Sequence, residues 1–350
     1  MVNAKAFKDG FNWLTKNNKG RFPIIIDSDG MHFLFRDKQL GEMFLTYKGV
    51  TNDEKVIIPY QSFAGIKKMF KYWKADLSLT MKQLSTKDFE AQISDGDHPF
   101  KYTFDRQFVP AEDYSKDFGT TSAEGIFNVN EFAESAGRLI PFASTDTCRT
   151  FLDGIYIDRE NKALVATDGK RLGYLSYESE LPSMIVTVNT FTKIDGMGES
   201  IYTVSNTQSS KWFSFENDDK VVVSKLIDGN FPNWKKVVPS TTENSVMDTI
   251  NLDSFTQAAK YAVDVVGKKI PRAMLENGTL AGIAYKHSND IEAVIALNAT
   301  YLKESLEKMK GESVNFYAQT DADGEVEDMK AITISDGTLN AIIMPMCKDA

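Results

Sequence analysis

Side chains capable of catalysis are scattered along this 350-residue chain, not gathered. His32, His98 and His287 stand far apart, with no HExxH, no GxSxG and no Walker-type loop around them. Cys148 and Cys347, the two cysteines, form neither a CxxC site nor a disulfide framework. Asp168 and Lys170 in "TDGKR" are the nearest thing to an acid–base pair, and a lone spacing of two is weak support for proton transfer. A different chemistry shows in "LIDGNFPNWKKVVP", residues 226–239. The run leaves a strand-like stretch, turns at Asp228-Gly229, and offers Phe231, Trp234, Val237 and Val238 between two prolines. It reads either as a structural clasp or as part of a surface that holds something.

The elements that would position such a surface recur three times. "VNAKAF" (2–7), "FNVNEF" (127–132) and "INLDSF" (250–255) share an apolar residue, Asn, three variable positions and Phe. Behind each Phe, apolar residues at i+4 and i+7 line one helical face: Phe11 and Leu14, Ala136 and Leu139, Ala259 and Ala262. A second element follows about half a module later, ending at Phe63, Phe191 and Tyr301, and each copy leads into a further helix. The middle of these, "TKIDGMG", is short and carries two glycines. Strand-rich runs with turn signals fill the rest, among them "IIIDSDGMHFLF", "GIYIDRENKALVATDG" and "KAITISDGTLNAIIMPM". The expected fold is α+β, in three modules of two helices packed on antiparallel sheets. Small polar stretches at 119–125 and 241–245 set the expected boundaries, giving domains 1–122, 123–242 and 243–350.

Charge is distributed unevenly over this plan. The chain carries −9 overall, which argues against a simple nucleic-acid coat. Yet the six expected helical segments sum to +8 and leave −17 for the remainder, with residues 4–19 at +3 and 61–74 at +4. Lys67, Lys68, Lys71 and Lys74 have no acidic partner on their helix, so salt-bridge lacing does not account for them. A solvated face is one reading. A surface that meets phosphates while the remainder repels them is the other. No base-reading motif accompanies the lysines, so any such contact is expected to ignore sequence. No apolar run approaches the ~20 residues of a membrane span, the N-terminus lacks a signal-like apolar core, and cysteine usage suits a reducing compartment. A cytoplasmic protein without a membrane contact and without a cofactor is expected.

"LVATDGKRLGY" (164–174) and "LIDGNFPNWKKVVP" resemble two signature stretches of the bacterial β sliding-clamp family, the processivity subunit of the replicative DNA polymerase. "CRTFLDGIYI" (148–157), "LNATYLKESLEKM" and the closing "IIMPM" (342–346) are similar to further family segments. The likeness is specific over 128–346 and weak over the first 125 residues, where it rests on the repeat and on "GRFPIII" (20–26). It implies three domains of one clamp fold and a head-to-tail homodimer. In the resulting ring, twelve helices line a hole for duplex DNA and sheets lie outside. It also implies a tether without catalysis, whose partners are double-stranded DNA, the replicative polymerase, a clamp loader and other proteins carrying clamp-binding motifs.

Carried over by position, the resemblance places a partner-peptide pocket at Leu152, Thr167, Gly169, Lys170, Arg171, Leu172, Pro239, Ile342 and Met344. Asn298, Tyr301 and Met346 form its neighbouring subsite, and Val246 is a further member. Leucine, proline, isoleucine and methionine make an adaptable apolar slot, and Asn298 and Arg171 suit orientation of a peptide backbone. Leu152, Leu172 and Ile342 read equally as core, and Phe231 and Trp234 read as clasp residues that pack the loop on its sheet. For DNA, Arg21, Thr150 and Phe151 match family loop positions, while Lys67, Lys68, Lys71, Lys74, Lys268, Lys269 and Arg272 are candidates by charge. Lys170 and Trp234 depart from the usual His and Tyr, and "CKDA" extends past Met346. The acidic, lysine-helix first domain is also atypical, which leaves a phage- or plasmid-encoded clamp open. It also leaves open an adaptor that binds peptides without encircling DNA, a reading that oligomeric state separates from the first.

Overall fold

A computed structural model describes residues 1–16, 22–37, 41–106, 118–146, 148–239, 245–266, 272–276, 278–288, 294–323 and 325–347. Among them are six α-helices at the expected places: α1 Ala4–Thr15, α2 Phe63–Met69, α3 Val129–Leu139, α4 Val188–Ile194, α5 Leu252–Val266 and α6 Ala299–Leu306. The recurring asparagine explains where three of them start. Asn3 Oδ1 accepts from Lys5 N and Ala6 N at 3.0 and 3.1 Å. Asn128 Oδ1 accepts from Asn130 N at 3.0 Å and Asn251 Oδ1 from Ser254 N at 3.0 Å. Each side chain thereby satisfies amides that the first helical turn leaves without partners. Asn298 does the same for α6, accepting from Thr300 N and Tyr301 N. The segment with two glycines does form a helix, and a short one: α4 stops at Ile194, before Asp195-Gly196.

The expected apolar faces are buried. Phe7, Phe11, Leu14, Phe132, Ala136, Leu139, Phe255, Ala259 and Ala262 are all fully excluded from solvent. Edge-to-face contacts join the first and second helices of the first two modules: Phe11 meets Phe63 and Phe132 meets Phe191, each at 5.1 Å between centroids. Burying one such ring contributes roughly 1.5–3 kcal/mol, and the edge-to-face geometry adds about 0.5–1.5 kcal/mol more.

All the described strand pairs are antiparallel, in two eight-stranded sheets, one of four strands and one of three. The first large sheet runs Val56–Ile58, Ile24–Asp27, Gly30–Asp37, Gly41–Tyr47, Lys220–Lys225, Lys211–Glu216, Glu199–Asn206, Thr120–Asn128. Its first four strands come from the first module and its last four from the second. The second large sheet repeats the plan: Met184–Thr187, Gly154–Asp158, Ala163–Thr167, Arg171–Ser176, Leu339–Ile343, Ile332–Ser335, Ser313–Gln319, Ser245–Asn251. The joints are Gly41–Tyr47 with Lys220–Lys225 (Leu45 opposite Val222) and Arg171–Ser176 with Leu339–Ile343 (Leu172 opposite Ile342). Because each joint fuses half-sheets of successive modules, tertiary contacts divide the chain otherwise than the repeat does. One compact unit comprises 1–133 and 189–228, the other 134–188 and 229–350.

Within the first unit, Lys193 of α4 closes the end of α1. Its amine donates to Trp13 O, Leu14 O and Lys16 O at 3.2, 3.2 and 2.6 Å, and Trp13 Nε1 returns a bond to Lys193 O. Among the described residues, only Trp13 O at this helix end keeps a bond from the chain's own cap, a long 3.4 Å contact from Lys16 N, so a buried cation is useful there. Burial nevertheless pushes the amine down to about 8 from 10.5. The unfolded chain therefore binds the proton more tightly, so protonation opposes folding, and the penalty fades as pH rises from about 8 to 10.5. Relative to Lys193→Met, the native chain should gain up to roughly 3 kcal/mol of stability across that interval, at ~1.4 kcal/mol per pKa unit. Urea midpoints measured against pH check this, and parallel profiles for the two chains would refute it.

Candidate functional site

The stretch 164–174 folds as a hairpin whose turn is built by Thr167 and Asp168. Thr167 Oγ1 donates to Arg171 O at 2.6 Å and accepts from Gly169 N at 3.1 Å. Asp168 Oδ1 accepts from Lys170 N and Arg171 N at 2.8 and 3.0 Å. Gly169 adopts φ +87°, the left-handed region that favours glycine. The Asp168 carboxylate thus holds the turn, and its spacing from Lys170 reflects backbone geometry.

The same turn borders a cleft of about 460 Å³ in the second unit. Eight of the expected pocket residues line it: Leu152, Thr167, Gly169, Lys170, Arg171, Leu172, Ile342 and Met344. Leu152, Leu172 and Ile342 are 4, 4 and 3% exposed, so the core reading and the pocket reading describe the same side chains, whose outward atoms form the floor. Pairing of Leu172 with Ile342 across the module joint sets that floor. Met344, half exposed, is held at the rim by its backbone amide, which donates to Lys170 O at 3.1 Å.

The opening stretch is both clasp and wall. Trp234 is buried, meets the tilted Tyr174 ring at 5.0 Å and 40°, and donates from Nε1 to Asp158 Oδ2 at 2.8 Å. Phe231 lies flat on Tyr156 at 4.8 Å and 10° and stays outside the cleft. In the 3₁₀ turn Trp234–Val237, residues three apart share a face, and Trp234 and Val237 both line the cleft. Val237 leaves 58% of its surface in solvent. Arg149, Pro232 and Asn233 complete the wall, and Phe151, expected beside the duplex, lines it too. The threefold spacing of Trp234 and Val237 was available in the sequence, but nothing there announced a 3₁₀ turn.

Among the described residues, Pro239, Asn298, Tyr301 and Met346 lie outside this lining. Tyr301 is nevertheless tied to it through Arg171. Its guanidinium sits 4.2 Å above the Tyr301 ring, pairs with Glu304 Oε2 at 2.7 Å and Asp168 Oδ2 at 3.2 Å, and donates to Pro141 O. Burial raises the Tyr301 hydroxyl above its ordinary value, and the Asp168 charge adds to that. Met346 N donates to Ala296 O at 2.8 Å, which fixes the closing segment beside α6. Arg171, expected to orient a peptide, is thus engaged inside the protein as a clamp, and Asn298 Oδ1 caps α6. The Val246 side chain lies outside the described residues.

Of the DNA candidates, Lys67, Lys68, Lys71 and Lys74 are exposed along α2 and the turn after it. Thr150 is exposed in the short turn Thr150–Leu152, and Arg272 is partly buried in the strand Arg272–Glu276. Arg21, Lys268 and Lys269 lie outside the described residues. Among the described residues no cluster of His, Cys, Asp or Glu fits a metal ion, and no helix is long and apolar enough to cross a membrane.

Residues 127–233 match a family model described as the DNA polymerase III beta subunit, central domain. That stretch is thus similar to the central domain of beta sliding clamps. The beta sliding clamp of Treponema pallidum is 30% identical over 198 residues, covering 49% of this chain and 52% of that protein. That of Proteus mirabilis is 28% identical over 222 residues, covering 57% and 58%. The chain thus spans about half the length of the curated relatives it matches. The fold extends further. The DNA polymerase III beta subunit of Borrelia burgdorferi, solved in complex with a natural product, superposes with a TM-score of 0.74 at 15% identity, covering 99% of this chain and 97% of that one. The α+β architecture is therefore the clamp fold along the whole chain, including the first 125 residues that carry little sequence likeness.

Trp234 is the residue on which this clamp-fold site turns. Burial alone would raise the Asp158 carboxyl, but hydrogen bonds from Trp234 and Asn161 outweigh it and hold the group below 3.8. A depressed carboxyl contributes stability at neutral pH that is lost as pH falls through its folded value. Trp234→Phe should cost about 1–3 kcal/mol at pH 7. The gap from the native chain should narrow below pH 3.8, as acid removes the carboxylate from both. Denaturation midpoints at neutral and acid pH measure it, and a constant gap would exclude the bond as the cause.

Proposed function

We propose that this chain is a DNA sliding clamp: a head-to-tail homodimer whose ring encircles duplex DNA and tethers a replicative polymerase, with no catalytic step. This reading rests on one recurring joint. The last strand of the first half-sheet in module one pairs with the last strand of the second half-sheet in module two, and modules two and three repeat the pairing. By the same rule, Ile283–Ala284 of module three is left at one sheet edge and Phe100–Asp105 of module one at another. Two copies would pair these edges reciprocally and close six modules, removing exposed strand edges that otherwise invite aggregation. The three domains are then 1–122, 123–242 and 243–350.

The exposed lysines of α2 would meet phosphates, joined by Arg21, Thr150, Lys268, Lys269 and Arg272 and with Phe151 beside the duplex, and with no sequence register to impede sliding. A loader would open the ring. The cleft around Leu172, Trp234 and Met344 would take the apolar anchor of a partner peptide, and the pinned segment Asn298, Tyr301 and Met346 would take its neighbour. Tethering raises the polymerase concentration at the primer end without new contacts to DNA. Such a protein would work in the cytoplasm.

Loaded protein should remain on circular duplex DNA and run off linear DNA, and native mass should be that of two chains. A strict monomer at micromolar concentration would leave the adaptor reading in its place. Replacing Lys67, Lys68, Lys71 and Lys74 with Glu should shorten retention on circular DNA and leave peptide affinity unchanged; retention equal to wild type would return those lysines to solvated surface. Met344→Ala with Met346→Ala should weaken a short clamp-binding peptide roughly tenfold or more, about 1.4 kcal/mol or above, with native mass unaltered. Unchanged affinity would remove the pocket assignment.

A further inference from the structure

Beyond α2 the chain builds a rigid aromatic pair in solvent. Trp73, fully buried, donates from Nε1 to His98 O at 2.9 Å and pins the turn 95–98 against the end of the helix. Asp95 accepts from Lys74 N, His98 N and His98 Nδ1 at 3.2, 2.8 and 3.2 Å. These bonds hold Tyr72 and His98 as a stack, with centroids 5.7 Å apart and planes 22° apart. Tyr72 remains 44% exposed and Lys71 Nζ lies 4.7 Å from its ring centre. Lys8 Nζ reaches Trp73 O at 2.8 Å, and Lys67, Lys68 and Lys74 are exposed nearby in sequence.

Buried Trp73 and Asp95 already hold this corner, so the outward ring pair adds little to it. A half-exposed, preorganised aromatic pair among lysines suits single-stranded nucleic acid: a base stacks on the pair as the Lys71 ammonium leaves the Tyr72 ring for the backbone phosphates. Duplex DNA keeps its bases inside and offers only phosphates here. We propose that Tyr72 and His98 form a stacking platform for an unpaired base, with Lys71 and Lys74 meeting the phosphates on either side. The lysines are shared with the clamp reading; the platform adds a contact to single-stranded DNA beside a duplex.

The test is fluorescence anisotropy of labelled oligo(dT) with the full chain at low salt, alongside retention on circular duplex DNA. Tyr72→Ala should weaken oligo(dT) binding about fivefold or more, Tyr72→Phe should bind as wild type, and retention on the circle should be unaffected by either. Oligo(dT) binding that is absent in the wild type, or unchanged in Tyr72→Ala, overturns the proposal even where retention is normal. So does a poly-glutamate peptide that binds as tightly as oligo(dT), which would make the patch a simple cation cluster. Tyr72-dependent oligo(dT) binding without retention on circular DNA would sink the clamp reading and leave the platform standing.

Discussion

An antiparallel strand edge cannot be left unpaired without cost, and this chain answers that constraint by joining successive modules edge to edge. Leu45 faces Val222 at one joint and Leu172 faces Ile342 at the other, so backbone pairing and apolar contact coincide across each boundary. Everything functional follows from those two seams. The second draws the hairpin 164–174 against the C-terminal strand and so creates the cleft floor from residues about 170 positions apart. Neither strand carries that surface alone.

Around the seams, local chemistry is repeated with little variation. Asn3, Asn128 and Asn251 each cap a helix, and the aromatic residue four positions later plugs the space beneath it. Such repetition makes each module independently able to begin its helix, because cap and plug lie within one turn of each other. Variation enters where modules differ in partners: Lys193 closes α1 with a cation, whereas Arg138 in the second unit pairs with Asp336 and donates to Lys308 O.

The cleft combines rigidity below with latitude above. Arg171, fixed by Glu304, Asp168 and the Tyr301 ring, is a strut between floor and α6. Val237 and Met344 stand exposed at the rim, where an apolar side chain has no structural reason to be in water. The unbranched chain of a methionine at the mouth can repack, while the tryptophan wall is tied to Asp158. That division would suit exchange among the partner peptides proposed above.

How much was legible in advance depended on the range of the interaction. Asparagine-to-phenylalanine spacing and heptad-like apolar faces were sufficient for six helices and three modules, since caps and helical periodicity act within a few residues. The signature runs located the hairpin and most of the cleft lining through the family resemblance, not through local periodicity. The sequence could not say that Arg171 and Asn298 were already committed to Glu304 and to an α6 amide, because hydrogen-bond capacity is allocated only when distant groups meet. Nor could it join Tyr72 to His98, 26 residues apart and brought together by a buried indole. Short-range periodicity belongs to the sequence by itself; which half-sheets fuse, and which polar groups remain unspent afterwards, was decided by tertiary packing, where each donor can be used only once.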